Sequence, residues 1–291
     1  MKQIVLYLMN KKGKNVIESI LSTFGADIVY GVYVGRDENV KDDYSYKIKT
    51  ICVEHSIRIL NNSKHLRDFH GLRFAIGWRK MIHDTINLII LHDSLLPKYR
   101  GFSPIPNMLI KEESLLGVTA LYASDEYDTG DIIYQSSVNI SYPIKIEDAI
   151  NIVAKLYSEL ILKIIKDYIN EIPLPRVSQN DSSATYSVWR DQDDYYIDWS
   201  KSASYICRFI DSVGYPYLGA MTTIGEKKLI IEDAEVYPIR VEIVSPGKVI
   251  KLKDSMPIVL CGENAVMIKK AYYDTGENLL PLKSFRTRFG P

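Results

Sequence analysis

At 291 residues the chain has room for one large domain or for two of unequal size. Its 46% apolar and 25% charged content is that of an ordinary globular protein, which excludes a disordered or fibrous chain. The 36 basic and 36 acidic side chains cancel, and they stay balanced on either side of residue 170 (21 against 20, then 15 against 16), so neither part carries the basic excess of a nucleic-acid-binding chain.

Residues 3–8 (QIVLYL) read as a continuous apolar strand. Charge follows at Lys11, Lys12 and Lys14 with no small-residue cleavage site, so a buried strand is expected there and not a signal peptide. The turn after it, MNKKGKNV, lacks GxGxxG, which argues against an ordinary dinucleotide site. A helix is expected at 14–24 and a strand at 28–34, then shorter apolar runs at 48–52, 73–77 and 86–92. Apolar strands alternating with helices predict a Rossmann-like, mostly parallel α/β sheet covered on both faces. Further strands fit 117–123 and 132–138. The three- and four-residue apolar spacing from Ile146 to Tyr168 predicts a long amphipathic helix over 145–170. Polar residues 171–186, with Pro173 and Pro175, read as a linker. Beyond it come one helix, 202–214, and short β-like runs (LIIEDAEVY, GKVIKL, PIVLCG, NAVMIKKAYY), the pattern of a small C-terminal β-rich, OB-like domain. The expected domains are thus 1–170 and 187–291. Cys52, Cys207 and Cys261 are scattered, suggesting no disulfide framework, no metal site and a cytoplasmic setting. No apolar run approaches the roughly 20 residues of a membrane span.

His92 closes the apolar run INLIILH, at the strand end where open α/β sheets place ligands. A histidine there is, by itself, more often structural than catalytic. Its company changes the reading. Asp128, in Asp128-Thr129-Gly130-Asp131, lies in another inter-strand loop, and a histidine beside a carboxylate can be oriented and held for proton transfer.

HDSLLPKYRG, followed about 35 residues later by DTGDIIYQ, resembles the formyltransferase family that uses 10-formyltetrahydrofolate, whose members act on methionyl-tRNA, glycinamide ribonucleotide and amino sugars. GVTALYA is similar to the family's strand before the aspartate loop, QNDSSATY to the stretch after its catalytic domain, and IDWSKSASYICRFIDSVGYPYLGAMTT to the opening of its C-terminal barrel. The resemblance spans about 70–290. It implies that His92 stabilises the charge developing on the formyl oxygen and that Asp128 supports it and moves protons. It also implies folate contacts from Gly77, Trp78, Leu91, Leu95, Asp125 and Tyr127, and acceptor contacts from Ser94, Lys98, Tyr99 and Arg100.

One position departs from the family. Its pattern is Asn-x-His, and here Ile90 stands where the asparagine would donate to the formyl oxygen. Loss of one such donor typically costs about 10²–10³ in rate. Arg79, with five N–H donors, is the expected substitute, and a motif tyrosine is expected to stack on a nucleobase. The substrate expected from charge and resemblance is a nucleotide-linked amino sugar made for surface polysaccharide, handled by a homodimer without nucleic acid or membrane. The alternatives are initiator-tRNA formylation and a silent binding protein that kept the fold.

Overall fold

The computed structural model describes residues 2–62, 66 and 68–290. Two units emerge from the packing: Met1–Ile105 with Ser114–Ile140 and Asp148–Trp189, and Pro106–Glu113 with Ser141–Glu147 and Arg190–Pro291.

In chain order the elements up to residue 187 are β1 (Ile4–Leu8), α1 (Asn10–Phe24), β2 (Val29–Val34), α2 (Ser45–Glu54), β3 (Leu72–Ile76), β4 (Leu88–His92), β5 (Arg100–Gly101), α3 (Pro104–Ile110), β6 (Leu115–Tyr122), β7 (Ile132–Asn139), α4 (Ile146–Ile169) and β8 (Tyr186–Ser187). The six-stranded sheet runs β2-β1-β3-β4-β6-β7. Its pairings are parallel from β2 to β4 and antiparallel from β4 to β7. Every residue of β1 is buried, as a parallel strand covered on both faces requires. On one face Val5, Tyr7, Ala75 and Leu88 join Leu60 and Leu66, with Trp78, Ile82, Ile90 and Ala123 packed against them. α1 covers β1 and β3 through Val16, Ile17 and Ile20, spaced for one helical face; each such burial contributes about 1.5–3 kcal/mol. The apolar run at 48–52 belongs to α2, where Ile48 and Cys52 are buried four residues apart, a helical period instead of a strand's. A two-stranded parallel pair, β5 with β8, brings residues 186–187 alongside 100–101.

The second unit holds α5 (Ala203–Val213) and an antiparallel sheet of β9 (Ala220–Ile224), β10 (Lys227–Tyr237), β11 (Val249–Lys253), β12 (Met256–Leu260) and β13 (Ala265–Tyr273), in the order β11-β12-β13-β10-β9. Its core includes Trp199, Ile206, Phe209, Ile231, Ile268 and Phe289. Trp199 donates its indole N–H to Thr222 at 3.0 Å, satisfying the one polar atom that its burial would strand. Among the described residues no helix is long and apolar enough to cross a membrane, and no group of three metal-binding side chains occurs.

Candidate active site

The site forms where the parallel part of the sheet meets its first antiparallel neighbour. His92, the last residue of β4, stands opposite Thr119 of β6. The next loop returns on itself: Ser94 Oγ donates to the Lys98 carbonyl at 2.6 Å, and Thr119 Oγ1 donates to the Ser94 carbonyl at 2.7 Å. That return carries Tyr99 to φ 59° and sets its carbonyl 2.8 Å from His92 Nε2. Because a carbonyl only accepts, Nε2 carries the hydrogen, and Nδ1 is left facing Asp128 Oδ2 at 3.4 Å. Both side chains are largely enclosed, 8% and 11% exposed.

Asp128 sits in the β6–β7 loop at φ 57°, a backbone that aspartate tolerates better than most residues. Its Oδ2 accepts the Gly101 N–H at 2.8 Å. Gly101 itself has φ 97°, and a Cβ there would lie 2.7 Å from the Ser187 carbonyl, so only glycine lets β5 approach β8. Gly130 is required by a closer approach still: a Cβ would stand 1.8 Å from the Tyr122 carbonyl.

The loop is braced from a distance in sequence. Gln179 donates to the carbonyls of Asp128 (2.7 Å) and Gly130 (2.8 Å), and its own oxygen accepts from Arg100 Nε and Nη2. Thr185 Oγ1 accepts the Tyr99 N–H at 2.9 Å, and Val177 exchanges backbone bonds with Ile132. Within residues 171–186, expected as a linker, Val177, Gln179 and Thr185 are thus bonded to the Asp128 loop, to Ile132 and to Tyr99 and Arg100.

The profile of the formyl transferase family matches residues 80–165, and that of the formyl transferase C-terminal domain matches 190–287, together more than half of the chain. The chain belongs to the formyltransferase family. Two methionyl-tRNA formyltransferases are among its relatives: one from Halothermothrix orenii, 33% identical over 194 residues (67% of this chain, 60% of the relative), and one from Acetivibrio thermocellus, 29% identical over 189 residues (65% and 60%). The chain thus spans about 60% of the length of the curated relatives it matches. An N-formyltransferase from Helicobacter canadensis, solved with folinic acid and dTDP-3-aminofucose, shares the fold at 18% identity, TM-score 0.68, over 94% of this chain and 100% of that one.

Against this family frame the expected site residues divide. His92 and Asp128 come together. Tyr127, 62% exposed, faces Phe102 with ring centroids 5.9 Å apart, and Lys98 and Asp125 are exposed on adjoining loops. Trp78 lies edge-on to Tyr7, with its indole N–H buried and unpartnered, just after Gly77, which turns at φ 60°. Leu91 is buried in β4, and Leu95 packs close against Gly117 of β6. Three expectations need correction. Ser94 is 0% exposed and spends its hydroxyl on the loop, so it faces no acceptor. Arg100 is 2% exposed and committed to Gln179 and Asp181, which leaves no guanidinium edge for a phosphate. Arg79 forms its ion pair with Asp37 at 2.9 Å, beside Asn10, and not with a group of the His92–Asp128 pair. Gln179, Thr185 and Phe102 were not singled out in the sequence. The first two lie inside QNDSSATY, a visible signal whose partners were not.

Proposed function

We propose that this chain transfers a formyl group from 10-formyltetrahydrofolate to the amine of a nucleotide-linked amino sugar. The observation that carries the reading is the enclosed His92–Asp128 pair, inside the segment that matches the family, with an exposed aromatic pair beside it. A flat pterin suits the sheet face that His92 shares with Ile90, where Trp78, Ile82 and Ala123 give an apolar wall. Bound folate supplies the activated formyl carbon. The rest falls to this chain's own groups. His92, fixed through Nε2, presents Nδ1 beside Asp128 Oδ2, and the ring stabilises charge on the formyl oxygen in the form that carries a hydrogen on both nitrogens. Asp128 Oδ2 is held by Gly101, while its Oδ1 has no partner among the described residues. That oxygen is the one that takes the proton leaving the amine. Phe102 and Tyr127 offer ring faces to a nucleobase, and Lys98 offers a cation to the diphosphate. The related N-formyltransferase solved with dTDP-3-aminofucose supports an acceptor of this kind.

A second reading, formylation of initiator tRNA, is favoured by the names of the sequence relatives and by one surface. Residues 282–289 run beside β11, bonded through Leu282–Ser255, Val249–Thr287 and Phe289–Gly247. This edge carries exposed Lys248, Lys251, Lys253, Lys283, Arg286 and Arg288, and among the described residues none of them pairs with a carboxylate. Six clustered cations suit a phosphate backbone. The balanced composition hid them: Asp254 shares this edge, while Glu232 and Glu235 lie on β10, paired with Lys270 and Lys269.

The experiment offers purified protein and 10-formyltetrahydrofolate a panel of nucleotide amino sugars in one arm and charged initiator tRNA in the other. Formylated sugar, with tRNA left unmodified, is the expected result. Efficient formylation of the tRNA and of no sugar overturns the preferred acceptor and selects the second reading.

A further inference from the structure

Asp93, the residue after His92, has a side chain only 16% exposed, yet both carboxylate oxygens are engaged. Lys12, from the first turn of α1, places Nζ 2.5 Å from Oδ2, and the Tyr157 hydroxyl of α4 lies 2.6 Å from Oδ1. The same hydroxyl is 2.7 Å from the Leu91 carbonyl. A tyrosine hydroxyl has one proton, so Tyr157 shares it between two acceptors that flank His92 in the chain. Lys12 also stands over the Tyr157 ring, 5.3 Å from its centroid. Three elements thus converge on the two peptide units that carry the histidine.

Stability alone does not ask for this arrangement. An enclosed ion pair is often matched or bettered by apolar residues of similar volume, so a buried charge set beside a candidate catalytic histidine calls for another account. We propose that Lys12, Asp93 and Tyr157 form a positioning unit that fixes the backbone on both sides of His92 and thereby aims its ring. The inference rests on His92 being the histidine that acts in formyl transfer. Enclosure by itself raises the Asp93 carboxyl, but Lys12 and Tyr157 outweigh it and hold the group below its ordinary value, so the carboxylate is ionised at neutral pH. The 2.8 Å bond from His92 to the Tyr99 carbonyl needs the ring aimed closely, and a misplacement of about 1 Å can cost about 10²-fold in rate.

The test compares unaltered protein with Tyr157→Phe, Lys12→Met and Lys12→Arg. It reads kcat and KM with 10-formyltetrahydrofolate and whichever acceptor of the panel is formylated. It also reads the ¹⁵N signals of the His92 ring in protein without substrate. Tyr157→Phe keeps the ring volume, so the variant folds. Expected are kcat losses of about ten- to a hundredfold in Tyr157→Phe and Lys12→Met, KM near the unaltered values, displaced His92 signals, and recovery of most of kcat in Lys12→Arg. Unaltered kcat and ring signals in the first two variants overturn the inference, as does a rise in KM alone, which would put Lys12 in ligand binding. If the unaltered protein formylates no acceptor at all, the proposed function fails instead, and the ring signals still decide the inference.

Discussion

Ile90 is the residue at which this chain leaves its family's pattern, and its surroundings show what the change does. It lies partly buried against Ala75 and Leu88, in the apolar cluster that includes Trp78 and Ile82, two places before His92 and on the same face of β4. An amide there would trade packing for a donor aimed near the formyl oxygen. Ile90→Asn should therefore lower stability by about 1–3 kcal/mol, the cost of burying an amide with incomplete partners, and at the same time raise kcat. Denaturant midpoints and single-turnover rates check the two halves separately. A variant that loses rate as well as stability would show that a donor already occupies that role. Arg79, the donor expected from sequence, is held by Asp37, so a backbone N–H is the better candidate.

Among the elements, the segment after α4 carries the main lesson. Continuous apolar runs and helical spacing made β1, β4, β6, α1, α4 and α5 legible, because a buried face imprints its period on the chain. What Gln179 does left no such imprint. Proline and polar side chains around it read as a tether, while its actual partners, the Asp128 and Gly130 carbonyls and the Arg100 guanidinium, are fifty to eighty residues away in the chain. Side-chain bonds between loops carry no periodicity, which is also why Arg100 looked free for substrate. The short β9 was missed for a related reason: Ala220-Met221-Thr222-Thr223-Ile224 is neither a continuous apolar run nor an alternation of apolar and polar residues. Gln179→Ala removes two donors from the Asp128 loop and an acceptor from a buried guanidinium. It should lower stability by about 2–4 kcal/mol, as read by chemical denaturation, and reduce kcat at temperatures where the fold persists. An unchanged rate in folded Gln179→Ala would mean that the loop holds its shape unaided.

At the scale of the whole molecule, even charge conceals local imbalance. The basic edge beside β11 is one instance; Asp211 on α5 is another. Burial pushes its carboxyl up to about 6, with Lys145 opposing and Asp233 reinforcing the rise. A carboxyl raised in the folded state stabilises the fold fully at pH values below its unfolded range, near 3.9, and that contribution is lost as pH climbs through about 6. Asp211→Asn should accordingly be more stable than the unaltered chain at pH 8, by about 1–2 kcal/mol, with the gap closing towards pH 5; a gap independent of pH would remove Asp211 from the account. The central claim is that His92 and Asp128 act as one unit in formyl transfer. It is tested most directly by single-turnover rates of His92→Ala, Asp128→Asn and the double variant, using 10-formyltetrahydrofolate and the accepted amine. Losses of about 10²–10⁴ are expected in each single variant, with a double variant little worse than either. Full activity in folded His92→Ala, or losses that simply multiply in the double variant, would contradict it.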